Sequence, residues 1–254
     1  MATAGGRPPG RLLGVGVGPG DPELVTRQAL RVLAESDRVV APSSAVDAVG
    51  RAEAIVRQAS PGIRMERLVF DMSGDGARGG RAAREASHRS AAKALVPWLD
   101  DGEQVAFVTL GDPNIYSTFS SLTAALRRLR PAVDIGTVPG IMAFQALASR
   151  AGAVLLDGTE SLSLVTALDG PEALDAAIDD PTRAVVVYKG GRHVPEIAAS
   201  LTRAGRLEGA VMGELLGLPG ERMGPLEQLA SGPATYLATV IVPPRARRVP
   251  EEES

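Results

Sequence analysis

In Thr109-Leu110-Gly111-Asp112-Pro113-Asn114-Ile115-Tyr116-Ser117-Thr118-Phe119, an apolar run from Val105 to Leu110 passes into a polar turn and then into a helix-forming segment. A strand that ends in a glycine, an acid and a rigid proline brings backbone close to whatever lies beyond it. In an open α/β sheet, ligands bind in the crevice outside the carboxyl ends of the strands. Gly, Asp and Pro are also common turn residues, so this turn by itself reads more readily as a plain strand-to-helix connection. Three other segments change that weighing.

Leu12 to Val17 reads as the first strand and runs into Gly18-Pro19-Gly20-Asp21-Pro22. A helix over about Glu23 to Glu35 follows, with Asp21 as its N-cap and Pro22 in its first turn. Ile135 to Val138 leads through Pro139-Gly140 into a helix from Met142 to Ala151. Ala184 to Tyr188 ends in Lys189-Gly190-Gly191-Arg192-His193, a strand exit with two cations and a histidine. Exits this alike argue for one composite crevice rather than unrelated turns.

Between them the chain alternates short β-branched runs with Ala/Leu/Arg-rich stretches, the βα pattern of an α/β fold. Further strands are expected at Arg38–Ala41, Leu162–Ala167, Gly209–Gly213 and Tyr236–Val242. Further helices are expected at Val46–Gln58, Arg81–Leu99, Ser117–Arg130, Pro171–Ile178 and Val194–Ala204. The expected division is two α/β domains, 11–132 and 133–243. A disordered Gly/Pro lead covers 1–10, a polar loop 71–80 and a charged tail 244–254.

A chain of 254 residues with 44% hydrophobic and 22% charged residues has the composition of a globular protein with a sizeable core. There is no cysteine, which excludes disulfides, thiolate metal sites, iron–sulfur clusters and a cysteine nucleophile. The two histidines, His88 and His193, are too few for a His-rich metal site. A formal charge of −3 gives no support for a nucleic-acid-binding body. No run approaches the roughly 18 apolar residues of a membrane span, and the first ten residues lack the apolar core of a secretory signal. The expectation is a soluble cytoplasmic protein with no membrane or nucleic-acid partner.

The Gly-rich turn Gly14-Val15-Gly16-Val17-Gly18-Pro19-Gly20-Asp21 fits neither common phosphate cradle. A dinucleotide fingerprint counted from Gly14 meets Pro19 at its third glycine position, and counted from Gly16 meets Asp21. The Gly-Lys-Ser/Thr ending of a P-loop is also absent. This spacing speaks against a nicotinamide-dependent oxidoreductase.

Taken together, these segments resemble the tetrapyrrole methylases, the class III S-adenosylmethionine methyltransferases, from about Arg11 to Pro243. The family's Gly-x-Gly-Pro-Gly-Asp followed by Leu-x-Thr stands here as Gly16 to Asp21 with Leu24-Val25-Thr26. Its other motifs stand as Gly111-Asp112-Pro113 and Pro139-Gly140-Ile141. The run through Tyr116-Ser117-Thr118-Phe119 and the opening Gly16 to Leu24 are most similar to the subgroup that methylates precorrin-2 at C(20), in its metal-free or cobalt form.

The resemblance implies two α/β domains with S-adenosylmethionine in the cleft between them, usually in a homodimer, and S-adenosylhomocysteine as product. Carried over by position, donor contacts fall on Pro19, Leu110, Gly111, Asp112, Ile115, Ser117, Thr118, Met142 and Ala143. Tyr188 and the Glu214-Leu215-Leu216 stretch complete that pocket. Met142 stands where relatives often have a small hydroxyl, which leaves only a backbone contact there. Tyr188 stands where relatives often have Met, and an aromatic equally closes an adenine pocket.

A donor that already carries an activated methyl asks the protein for alignment and exclusion of water more than for acid–base groups. No catalytic base is assigned, and Asp112 is read as a structural or cofactor-orienting acid. No metal is required for the transfer. The carboxylates of precorrin-2 call for cations, and Lys189, Arg192 and His193 are the candidates at a strand exit. Arg78, Arg81, Arg84 and Arg89 read first as a solvated helix face, His88 as a helix-surface residue, and Trp98 as a helix-to-core anchor. Another corrin-ring acceptor, or a nucleotide-binding module without turnover, stays open.

Overall fold

The computed structural model describes residues 10–70 and 80–245. Of the expected lead at 1–10, loop at 71–80 and tail at 244–254, residues 1–9, 71–79 (with Arg78) and 246–254 lie outside the described residues. The chain divides into two compact units, Met1–Met142 and Ala143–Ser254. Among the described residues no helix is long and apolar enough to cross a membrane.

The first unit holds β1 (Arg11–Gly16), β2 (Arg38–Ser43), β3 (Glu66–Val69), β4 (Gln104–Thr109) and β5 (Asp134–Val138). They form one sheet in the order β3-β2-β4-β1-β5, every pairing parallel. Parallel strands covered on both faces read as continuous apolar runs, and Val105-Ala106-Phe107-Val108 of β4 is wholly buried. Helices α3 (Gly80–Asp100) and α4 (Thr118–Leu129) pack on Leu12, Val40, Val105 and Phe107. Helix α1 (Arg27–Glu35) packs on β1, and α2 (Arg51–Ala59) on β2 and β4. The chain leaves β1 toward β2 and leaves β4 toward β5. Neighbouring strands thus send their connections in opposite directions, the topology that opens a ligand crevice at their carboxyl ends.

The second unit holds α5 (Ala143–Ala151), β6 (Ser161–Thr166), α6 (Glu172–Ala177), β7 (Arg183–Tyr188), α7 (Val194–Arg203), β8 (Val211–Glu214), β9 (Arg222–Pro225), α8 (Leu226–Leu229) and β10 (Thr239–Val242). Its sheet runs β6-β7-β10-β8-β9, with only β6 and β7 parallel. Leu174, Ile197 and Leu201 from α6 and α7 bury one face against Val185, Val187 and Val240. Leu147 and Ala148 of α5 cover Val186 and Ile241 on the other.

Several expectations need correction. The first unit ends after Met142, not at 132, because Asp134–Val138 pairs with β1 from Arg11 to Val15. Strand patterning says that a segment is extended and nothing about which sheet it joins. The single helix expected over Glu23–Glu35 is a 3-10 turn, Pro22–Leu24, followed by α1. Asp21 caps only that turn, through the Glu23 N–H, and the Thr26 side chain caps α1 through the Ala29 N–H. The helix expected from Val46 begins at Arg51. The short strands β3 and β9 escaped notice because each is four residues long and half of β3 is charged.

Trp98 does pack on the core of the first unit, and it also carries the Arg38 guanidinium 4.5 Å above its ring. His88 is half-buried rather than a plain surface residue. Its ring centroid lies 5.4 Å from that of Phe70, and its Nδ1 is 2.6 Å from the Arg84 carbonyl.

Glu53 on α2 is completely buried and is held by two guanidinium groups, Arg67 at 2.7 Å and Arg57 at 2.7 Å. The Arg67 hydrogen bond, aided by Arg57, outweighs burial and holds its carboxyl below the ordinary glutamate value. A carboxyl whose folded pKa is depressed contributes stability above its unfolded pKa and loses it as pH falls through the folded one. Glu53→Gln is therefore expected to lower unfolding stability by about 3 kcal/mol at neutral pH. The gap between wild type and variant should narrow in urea titrations carried below pH 4.5, the ordinary glutamate value.

Candidate functional site

The neighbouring positions of β1, β4 and β5 bring three Gly-containing exits into backbone contact. The Val17 N–H donates to the Thr109 carbonyl at 2.9 Å, and the Gly111 N–H to the Gly18 carbonyl at 2.9 Å. Gly18 at φ 80° and Gly111 at φ 62° adopt the left-handed conformation that glycine takes without strain. The exit of β5 closes on the other two. A Cβ on Gly140 would lie 2.0 Å from the Gly111 oxygen and 2.8 Å from Gly16 Cα. One on Gly16 would meet the same oxygen at 2.4 Å.

Asp112 is buried, and both its oxygens are used. Oδ1 accepts the Asn114 N–H at 2.8 Å and Oδ2 accepts the Gly140 N–H at 3.1 Å. The carboxylate clamps the β4 exit to the β5 exit, which is a structural role. Asn114 adds a second tie, its Nδ2 donating to Thr137 Oγ1 at 3.2 Å. Sequence reading overlooked Asn114 and Thr137, although an Asp followed two residues later by Asn after a strand is an Asx-turn signal.

The other expected donor residues of the first unit flank this cradle. Pro19 is buried next to Gly18, Leu110 and Ile115 are half-buried, and Met142 is buried. The Met142 sulfur lies over Gly111, 2.9 Å from where a Cβ would stand. Ser117 is the N-cap of α4, its hydroxyl accepting the Phe119 N–H at 3.1 Å and lying 2.9 Å from Thr109 Oγ1. Thr118 is the first residue of α4.

The remaining candidates lie in the second unit. The ends of β7 and β8 share one sheet edge with the start of β10, since Thr239 pairs with both Tyr188 and Gly213. The Tyr188 hydroxyl accepts the Phe144 N–H at 3.1 Å, which ties β7 to the first turn of α5 beside Ala143. Lys189 (φ 59°) and Leu215 (φ 52°) are in the left-handed region at the two exits, a conformation strained for residues with a side chain. The Lys189 ammonium stands 5.7 Å from the centroid of the Tyr236 ring. Leu216 lies in the core beneath α5, against Gly213 and among Leu147 and Ile241. Arg192 is exposed, and His193 closes a 3-10 turn, Gly191–His193.

Glu214 organises this edge. Its carboxylate, buried at the end of β8, accepts the Thr235 N–H at 2.7 Å and pairs with Arg222. Burial alone would raise its pKa; the Thr235 N–H and Arg222 outweigh that and hold it below the ordinary value. The Thr235 segment in turn packs on Gly191, whose Cβ would lie 1.9 Å from the Thr235 oxygen.

Residues 11–230 match the family described as Tetrapyrrole (Corrin/Porphyrin) Methylases. The chain is 32% identical over 240 residues to a precorrin-2 C(20)-methyltransferase of Sinorhizobium sp., covering 92% of this chain and 95% of that protein. It is 33% identical over 236 residues to the cobalt-precorrin-2 C(20)-methyltransferase of Salmonella typhimurium, covering 92% and 96%. Its fold is like that of the solved cobalt precorrin-4 methyltransferase CbiF, with a TM-score of 0.66 at 21% identity over 92% of this chain and 94% of that one. By this match and by the strand-exit motifs that fold into the glycine cradle, the chain belongs to the tetrapyrrole methylase family.

Proposed function

We propose that this protein transfers a methyl group from S-adenosylmethionine to C(20) of precorrin-2, giving precorrin-3A in cobalamin biosynthesis. The observation that carries this reading is the likeness, nearly end to end, to a precorrin-2 C(20)-methyltransferase. The cobalt-loaded acceptor is a second reading, kept because a relative 33% identical to this chain bears that name.

The residues present suit such a donor. The glycine cradle offers backbone without side chains, Leu110, Ile115 and Met142 offer apolar surface, and the acid among them, Asp112, is already occupied by N–H groups. When bound, S-adenosylmethionine supplies a methyl on a cationic sulfur, activated for displacement. Pro19, Leu110, Gly111, Asp112, Ile115, Ser117, Thr118, Met142, Ala143, Tyr188, Leu215 and Leu216 would hold it. Lys189, Arg192 and His193 would meet the acceptor's carboxylates. The protein's own part is then to bind both partners, align them and keep water out. A homodimer working in the cytoplasm completes the reading, and sedimentation measures the first of these directly.

The test is incubation of the pure protein with methyl-labelled S-adenosylmethionine and precorrin-2, with cobalt-precorrin-2 in a parallel tube. NMR that places the label on C(20) in either tube is the expected result, and the faster tube names the acceptor. Binding of S-adenosylhomocysteine with no transfer in either tube would remove the precorrin-2 assignment.

Asp112→Asn probes the clamp. An amide replaces one carboxylate oxygen by an NH2 that can only donate, so one of the two N–H groups would face an NH2. Calorimetry is expected to show roughly tenfold weaker S-adenosylhomocysteine binding, the loss of one charge-assisted hydrogen bond. Unchanged affinity would mean that the clamp does not shape the donor site.

A further inference from the structure

Tyr116 does more than the turn after β4 requires. Its φ is 49°, in the left-handed region where a bulky aromatic is a rare exception, and 45% of its surface is exposed. A turn needing only that backbone shape is served by glycine, as at Gly18 and Gly111. The conformation is imposed from both sides. Upstream, the Ile115 N–H donates to the Asp112 carbonyl at 3.4 Å, and Asn114 is fixed on the Asp112 carboxylate. Downstream, Ser117 is held between Thr109 and the first turn of α4. A rigid frame therefore keeps an exposed aromatic beyond the carboxyl end of β4, five residues along the chain from the Gly18–Gly111 bridge. Strain that the surroundings over-determine in this way clusters at ligand sites.

Burial indicates which partner the ring serves. Pro19, Gly111, Asp112 and Met142, which build the cradle, are buried, whereas Tyr116 is exposed. A large flat acceptor needs an outer aromatic surface; a small donor seated on the cradle does not. We propose that Tyr116 is an acceptor-recognition residue, its ring packing against the face of the tetrapyrrole. This rests on the methyl-transfer reading above.

The test compares the full-length wild type with Tyr116→Gly and Tyr116→Phe. The readouts are the thermal midpoint, the Kd for S-adenosylhomocysteine, and KM and kcat for precorrin-2 and cobalt-precorrin-2. Tyr116→Gly is expected to keep or raise the thermal midpoint, because glycine accepts this φ without strain. Its S-adenosylhomocysteine affinity should stay within about twofold while the acceptor KM rises about tenfold with little change in kcat. Tyr116→Phe should recover most of the KM loss. An unchanged acceptor KM in Tyr116→Gly overturns the proposal. So does a loss confined to S-adenosylhomocysteine, which assigns the ring to the donor, or a lower midpoint with both affinities kept, which makes Tyr116 structural. Wild type that binds S-adenosylhomocysteine and neither tetrapyrrole overturns the methyl-transfer reading, and this proposal with it.

Discussion

Gly140→Ala is expected to reduce kcat/KM about a hundredfold, the cost of misplacing reacting groups by about 1 Å. The new Cβ would stand 2.0 Å from the Gly111 oxygen and 2.8 Å from Gly16 Cα. Carbon and oxygen do not approach closer than about 3.3 Å even in weak C–H···O contacts. The obstacles are backbone atoms of two other strand exits, so no side chain can swing aside. The β5 exit must move by about an ångström, and that motion breaks the 3.1 Å hydrogen bond from the Gly140 N–H to Asp112. Overpacking of this kind should also lower stability by roughly 1–3 kcal/mol. Gly62→Ala is the matching control, with no atom within 4 Å of the added Cβ and no positive φ. It is expected to be neutral or slightly stabilising. Steady-state kinetics and thermal melts of both variants decide the matter: wild-type kcat/KM in Gly140→Ala would mean that the three exits are not the site.

Arg206→Met is expected to lower stability by roughly 4 kcal/mol, through buried carbonyls left without partners. The Arg206 residue is 3% exposed. Its Nη1 donates to the Ile178 and Asp180 carbonyls at 3.2 and 3.1 Å, and its Nη2 to Arg183 and Pro243 at 2.8 and 3.0 Å. One planar guanidinium thus joins the end of α6, the start of β7 and the chain just past β10. Burial, and then the nearby Arg245 cation, lower its pKa, with Asp180 acting the other way. Arginine still keeps its charge at neutral pH. Methionine preserves much of the apolar stem and supplies none of the donors. Lysine, a point charge without the planar fork, should fall between the two. Urea unfolding is the measurement, and S-adenosylhomocysteine affinity should survive in the folded variant. The clamp sits at Arg183, where β7 begins, while the candidate site is built where β7 ends at Tyr188. A variant as stable as wild type would mean that water replaces the lost donors.

The strand exits were legible because their chemistry is local. Apolar β-branched runs ending in Gly-Asp-Pro or Pro-Gly mark strand ends, and Leu12, Val105 and Val185 of these runs are buried. Glu214 was legible only as part of a stretch. Arg222 reaches it only through the register of the β8–β9 pair, and Thr235 lies 21 residues on in a segment that no local spacing relates to it. Arg206 was invisible for the same reason: a lone arginine after a helix looks solvent-exposed until four carbonyls from three segments converge on it.

The sequence by itself determined the α/β class, the family, and the Gly-containing strand exits of β1, β4 and β5, because turn residues and apolar periodicity act over a few neighbouring positions. Tertiary structure decided the rest. It assigned β5 to the first sheet, because strand pairing is chosen by partners more than a hundred residues apart, as Arg11 and Asp134 are. It consumed both Asp112 oxygens on N–H groups, one of them Gly140 from another strand exit. It held Tyr116 at φ 49° by fixing the residues on either side, which no local preference of tyrosine would do.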